Sequence, residues 1–174
     1  MIIDYLERIE IDISELKSKE DDIKKIVDII KNSKNIYICG NGGSSSTASH
    51  LSQDLQKMCK LKSFCLTDST PLITAWSNDV NYEVIFMKQL ETLANKDDCL
   101  IILSGSGNSP NLFNAAAYAN AIGMNTIAIV GMNGGRLLNN IDLDVCLHIK
   151  TDMQHAEDCH MILSHIILME LYNG

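Results

Sequence analysis

Five short apolar runs, at 35–39, 63–66, 99–103, 126–130 and 143–149, alternate along the chain with stretches whose apolar residues recur at helical spacing. Short continuous runs of this kind read as strands buried on both faces of a sheet. The helical stretches between them cover 45–58, 71–77 with 82–93, 110–122, a short piece at 135–139 and a long last one at 153–172. Parallel strands need long crossovers, and helical crossovers cover both faces of the sheet they join. The expected fold is therefore an α/β three-layer sandwich: a five-stranded parallel sheet with helices on both faces. A helical segment over about 1–33 precedes it, with Leu6, Ile9, Ile13 and Leu16, then Ile23, Ile26, Val27 and Ile30, on helical spacing. A break near Ser18-Lys19 makes this one bent helix or two. Nothing that reads as a linker or a repeat interrupts the 174 residues, so 1–174 is expected to form a single domain.

Charge narrows the partners. The formal net charge of −8 argues against a nucleic-acid surface, which depends on clustered Lys and Arg. Lys24-Lys25 and the Lys57, Lys60, Lys62 group are the nearest approach to such a cluster, and both read as solvated helix faces. No apolar run approaches the ~20 residues of a membrane span, and the first residues, MIIDYLERIE, lack the pattern of an export signal. A cytoplasmic protein without a membrane partner is expected. Six cysteines are present with no C-x-x-C pair, and Cys39, Cys65, Cys99 and Cys146 lie in or beside the apolar runs, so free, mostly buried thiols are expected.

Ligands of a parallel sheet bind beyond the carboxyl ends of its strands. Three of the loops there are rich in Gly, Ser and Asn: 40–46 (GNGGSSS), 104–109 (SGSGNS) and 131–135 (GMNGG). In the first, glycines let backbone amides approach a ligand where a helix begins, which suits an anion. The second places Ser104, Ser106 and Ser109 directly before Pro110, a favoured first helical residue. Hydroxyls and helix-start amides can satisfy a phosphate without Lys or Arg. One such loop alone reads equally well as an ordinary turn between strand and helix; two at one sheet edge favour a phosphate site. Neither matches G-x-G-x-x-G or the G-K-[ST] of a nucleotide loop.

C-G-N-G-G-S at 39–44, His50, T-D-S at 67–69, N-D at 78–79 and S-G-S-G-N-S-P-N at 104–111 together resemble the sugar-isomerase (SIS) domain family, and within it the sedoheptulose 7-phosphate (phosphoheptose) isomerases. The resemblance runs from the first helices to the last. It implies a flavodoxin-like sheet and a cytoplasmic phosphosugar isomerase of carbohydrate metabolism that interconverts a ketose and an aldose phosphate through an enediol. It implies a homotetramer with active sites between subunits. The loop with Ser104, Gly105, Ser106 and Ser109 would grip the phosphate; Asn41, Gly42, Gly43 and Ser44 would contact the sugar chain, with Asp79 and Asp152 as acidic residues beside it. Zinc, or another divalent cation, would be held by His50, Asp54, Glu157 and His165, with Asp54 or Glu157 as base and His165 as acid.

The chain departs from the family pattern at several of these positions. Asp54 stands where the family has Glu, Glu157 where it has Gln, and His155 and Met58 where it has Arg. His50 and Asp54 are four apart on a predicted helix and share one face, which is half of a metal site or an ordinary helix-face hydrogen bond. Glu157 and His165 lie eight residues apart, about 12 Å along a helix axis, so only extended side chains bring both to one ion. His160 is a nearer neighbour of Glu157. The apolar sides of the last helix give His160 and His165 an alternative place in a packed core, where a buried His needs partners. Two carboxylates and the missing arginines keep two other functions open: a non-catalytic sugar-phosphate-binding, sensing or adaptor protein, of which some SIS relatives bind a replication initiator, and an isomerase for a different sugar phosphate, for instance in surface-polysaccharide synthesis.

Overall fold

The computed structural model describes residues 1–174. Its strands are β1 (Ile36–Gly40), β2 (Ser63–Cys65), β3 (Cys99–Ser104), β4 (Asn125–Val130) and β5 (Val145–His148). Its helices are α1 (Ile2–Leu16), α2 (Glu20–Asn32), α3 (Gly43–Lys57), α4 (Thr70–Asp79), α5 (Met87–Leu93), α6 (Pro110–Ala121), α7 (Gly135–Asn139) and α8 (Met153–Asn173). All strand pairs are parallel, in the order β2-β1-β3-β4-β5. The order turns back between β1 and β3, with Gly40 level with Leu103, so the loops leaving these two strands flank the switch point of the sheet.

Side chains alternate between two cores, as the strand period requires. On one face Ile36, Ile38, Ile101, Leu103, Ile127 and Ile129 meet α2, α3 and α8. On the other, Tyr37, Cys39, Leu100, Ile102, Ala128 and Val130 meet α5, α6 and α7. Helix α2 buries Ile23, Ile26, Val27 and Ile30, an i, i+3, i+4, i+7 stripe. The break expected near Ser18-Lys19 is a turn of 3-10 helix over Lys17–Lys19, which makes the N-terminal segment two helices. The stretch expected as one helix at 82–93 divides into a 3-10 turn at Tyr82–Val84 and α5. Six cysteines are free; Cys39, Cys65, Cys99 and Cys159 are buried and Cys59 and Cys146 partly so.

Helix α1 is different, because it buries only Asp12 and Leu16 and leaves Ile2, Ile3, Leu6 and Ile13 exposed. A polar clasp anchors it. The carboxylate of Asp12, shut off from water, pairs with Arg8 at 3.0 Å and accepts from the Thr151 hydroxyl at 2.5 Å. The Tyr5 ring stacks on His155 at 4.0 Å. No helix is long and apolar enough to cross a membrane.

Candidate active site

The two loops at the switch point close a small cleft of about 100 Å³. It is lined by Asn41 and Ser44 from the first loop, Ser104, Gly105, Ser106 and Ser109 from the second, and Met153 and Glu157 from the start of α8, with Leu103 and Leu112 beneath. No Lys or Arg lines it. An anion here must therefore be met by hydroxyl and amide donors and by the partial positive charge of helix ends.

Besides α8, the two loops each lead into a helix here, and these two helix starts are not equivalent. At the start of α3, a Cβ on Gly43 would lie 2.4 Å from a carboxylate oxygen of Glu157, so the glycine lets that carboxylate close onto the helix end. Glu157 thus occupies the favourable position for negative charge at the α3 N-terminus. The start of α6 is open. Its cap residue, Ser109, makes no capping hydrogen bond with its side chain, which leaves the hydroxyl for a ligand. The Ser104 hydroxyl accepts from Gly107 N–H at 3.0 Å and shapes the loop from inside. The third Gly-rich loop does not line the cleft but braces the second: Arg136 N–H donates to the Asn108 side chain at 3.1 Å, and Leu137 N–H to the Gly107 carbonyl at 3.0 Å. A Cβ on Gly107 would sit 2.0 Å from the Gly134 carbonyl oxygen, so glycine is required where these loops touch.

About two turns beyond the cleft residues Ser44 and Glu157, α3 and α8 bring together His50, Asp54 and His165. The ε nitrogens of His50 and His165 lie 3.2 Å apart, and Asp54 Oδ2 lies 3.2 Å from His50 Nε2. His165 is 115 residues from His50 in sequence and is exposed, so it is not a packed core histidine. Gln53 Nε2 donates to the other oxygen of Asp54. Bonds of ~2.0–2.1 Å at the tetrahedral angle place ligand atoms about 3.3 Å apart, so these separations fit a divalent cation such as zinc. Glu157, expected as a fourth ligand, is outside this group and lines the cleft instead.

The remaining sequence-expected residues fall in several places. Gly42 holds φ +55 where the chain turns into α3, a conformation that favours glycine. Asp79 accepts from Asn78 at 2.8 Å at the end of α4 and does not line the cleft. Asp152 caps α8 by accepting from His155 N–H at 3.2 Å, and its carboxylate accepts from His155 Nδ1 at 2.7 Å. That bond holds the Asp152 carboxyl below its usual range and raises the His155 imidazole above its own. His160 is fully buried and neither ring nitrogen has a partner, contrary to the expectation that a buried His finds one; burial pushes its pKa down to about 4. Sequence reasoning missed Asn111 and Tyr82, which contact Asn41. Asn111 was visible as the last residue of the 104–111 motif, just inside the start of α6, whereas Tyr82 carried no signal.

The SIS domain family model matches residues 4–131. The chain belongs to the SIS domain family. Among curated relatives it is 35% identical over 147 residues to the phosphoheptose isomerase of Helicobacter pylori (strain P12), covering 82% of this chain and 76% of the relative. It therefore belongs with the phosphoheptose isomerases of that family. Two solved structures bear this out at the level of the fold. The phosphoheptose isomerase of Francisella tularensis superposes with a TM-score of 0.92 at 27% identity, covering 99% of this chain and 97% of that one. That of Neisseria gonorrhoeae gives 0.93 at 26% identity with the same coverage.

Proposed function

We propose that this SIS-family chain is an aldose–ketose isomerase acting on a heptulose phosphate such as sedoheptulose 7-phosphate. The observation that carries the reading is a cleft at the switch point lined by Ser104, Ser106, Ser109 and the carboxylate of Glu157, with the His50, Asp54, His165 group further along the two helices, α3 and α8, that border it. The phosphate belongs on the open α6 end, because the α3 end is already offset by Glu157. Asn41, Gly42, Gly43 and Ser44 face the sugar chain.

Isomerisation moves one proton from C1 to C2 and another from the C1 hydroxyl to the C2 carbonyl oxygen. A carboxylate serves the first transfer and an acid serves the second. Glu157 is the better placed base, since it lines the cleft while Asp54 is engaged by His50 and Gln53. His165, whose ring faces His50, is the group assigned to the second transfer. A divalent cation held by His50, Asp54 and His165 would supply positive charge that polarises a carbonyl oxygen.

Replacing Ser106 and Ser109 by Ala is expected to weaken sugar-phosphate binding by roughly 1–3 kcal/mol, through oxygens left without donors. Unchanged affinity in calorimetry would remove the phosphate from this loop. The activity itself is read by NMR: protein stripped with a chelator, then reloaded with zinc, is mixed with sedoheptulose 7-phosphate. Aldose phosphate signals that depend on the metal are the expected result. Binding without turnover in either sample would turn the assignment to the sensing or adaptor role.

The site is also proposed to lie between subunits of a homotetramer in the cytoplasm. Typical ligand pockets enclose roughly 300–1,000 Å³, so a cleft of about 100 Å³ covers only part of a seven-carbon sugar phosphate. Ile2, Leu6 and Ile13 on α1 and Met169 and Tyr172 on α8 supply exposed apolar surface for the neighbour. Light scattering is expected to give about four times the 19.3 kDa of one chain, and a monomer at micromolar concentration would refute this arrangement.

A further inference from the structure

Asn41 can point its amide group either way round, and the protein decides which. Its Nδ2 donates to Asn111 Oδ1 at 2.9 Å, while Asn111 Nδ2 donates back to Asn41 Oδ1 at 2.9 Å. Asn111, 2% exposed, is itself fixed, because its Oδ1 also accepts the backbone N–H of Leu112 at 3.0 Å. Turning the Asn111 amide over would set N–H against N–H. The backbone of α6 therefore dictates Asn111, and Asn111 dictates Asn41.

Tyr82 supplies the second constraint. Its hydroxyl lies 3.1 Å from Asn41 Oδ1, an atom that only accepts, so Tyr82 donates. The 3-10 turn that carries Tyr82 is tied to α6 by Asn114 Nδ2, which donates to the Glu83 carbonyl at 3.1 Å. Both lone pairs of Asn41 Oδ1 are then used, by Asn111 and Tyr82, and one Nδ2 hydrogen remains. Asn41 lines the cleft next to Ser44 and the Ser104–Ser109 loop.

We propose that Asn111 and Tyr82 are positioning residues that lock Asn41 as a one-way hydrogen-bond donor, so that the cleft reads an accepting oxygen on the sugar chain. The inference rests on the reading of the cleft as a sugar-phosphate site. Neither residue touches the sugar; each acts through Asn41.

A double-mutant cycle tests it with sedoheptulose 7-phosphate as the probe, measured as KM and kcat and, by calorimetry, as Kd. Tyr82→Phe removes one hydroxyl from a half-exposed side chain and leaves the core alone. It is expected to raise KM and Kd roughly 3- to 10-fold, the span of one neutral hydrogen bond, with kcat within about two-fold. Inorganic phosphate, which needs only the serine loop, should bind as before. In an Asn41→Ala background the same Tyr82→Phe change is expected to have no further effect. Asn111→Ala should likewise lose its effect on Kd in that background once variants are checked for folding by their thermal midpoints. Additive effects would show that Tyr82 and Asn111 act independently of Asn41 and would overturn the proposal. An unchanged Kd for Tyr82→Phe would do the same. Wild-type protein that binds the sugar without turning it over leaves the cycle readable in Kd, and so separates this proposal from the isomerase reading. Wild-type protein that does not bind the sugar overturns both.

Discussion

His165→Asn is expected to lower isomerase turnover by roughly 10²–10⁴-fold, the usual contribution of a positioned proton donor, while sugar-phosphate binding persists. The separation follows from the architecture. The phosphate loop leaves β3 and enters α6, whereas His165 projects from α8 toward His50 on α3, so the substitution leaves every residue of the serine loop in place. Asparagine keeps a polar group of similar reach but cannot exchange a proton near neutral pH. Metal content must be measured beside the rate, because loss of the second imidazole also removes one of the three side chains that could hold a metal ion. Turnover at the wild-type rate would refute the acid role, and reduced turnover fully restored by added zinc would reassign His165 to metal binding alone.

The fold was legible because its signal is local. Buried parallel strands show as unbroken apolar runs, and 99–103 and 126–130 each fall within a residue of the observed β3 and β4. The last run is shorter as a strand, ending its N-terminal side at Val145, because Asp144 turns its carboxylate back to accept from Thr126 N–H at 2.7 Å. The serine loop could be found for the same reason: its hydroxyls, glycines and helix start are consecutive. What one strand or loop cannot announce is a meeting across the sheet. The facing of His50 and His165 came from resemblance and not from spacing, and Glu157 was expected beside them although helix geometry already set it two turns away. Asn111 illustrates the limit well. At a helix start it reads as an ordinary turn residue, and its reciprocal bond to Asn41 depends on the neighbourhood of β1 and β3, which only the sheet order supplies.

Lowering the pH from 7 to 4 is expected to cost the folded chain about 3 kcal/mol through one residue, His160. Neither ring nitrogen of this fully buried side chain has a partner, and burial pushes its pKa from 6.5 down to about 4. The unfolded chain takes up a proton at this imidazole near pH 6.5, and the folded chain takes it up only near pH 4. Stability is therefore complete above 6.5, falls as pH drops through the window between the two values, and levels off below about 4. The interval of about 2.5 pH units sets the magnitude, at ~1.4 kcal/mol per unit. His155 works in the opposite sense, since its raised pKa gives stability that is present at low pH and lost as pH rises. Comparing wild type with His160→Leu cancels that contribution, and the comparison must be made at fixed protein concentration because subunit association adds to apparent stability. Urea unfolding at pH 7 and pH 4.5 is expected to show a steep loss in the wild type and a much flatter one in His160→Leu. The variant should also match or exceed the wild type at pH 7, because it removes two buried nitrogens that have no partner. An equal loss in both proteins would mean that His160 meets the proton in the folded state as readily as in the unfolded one, and that its neighbours accommodate the charge.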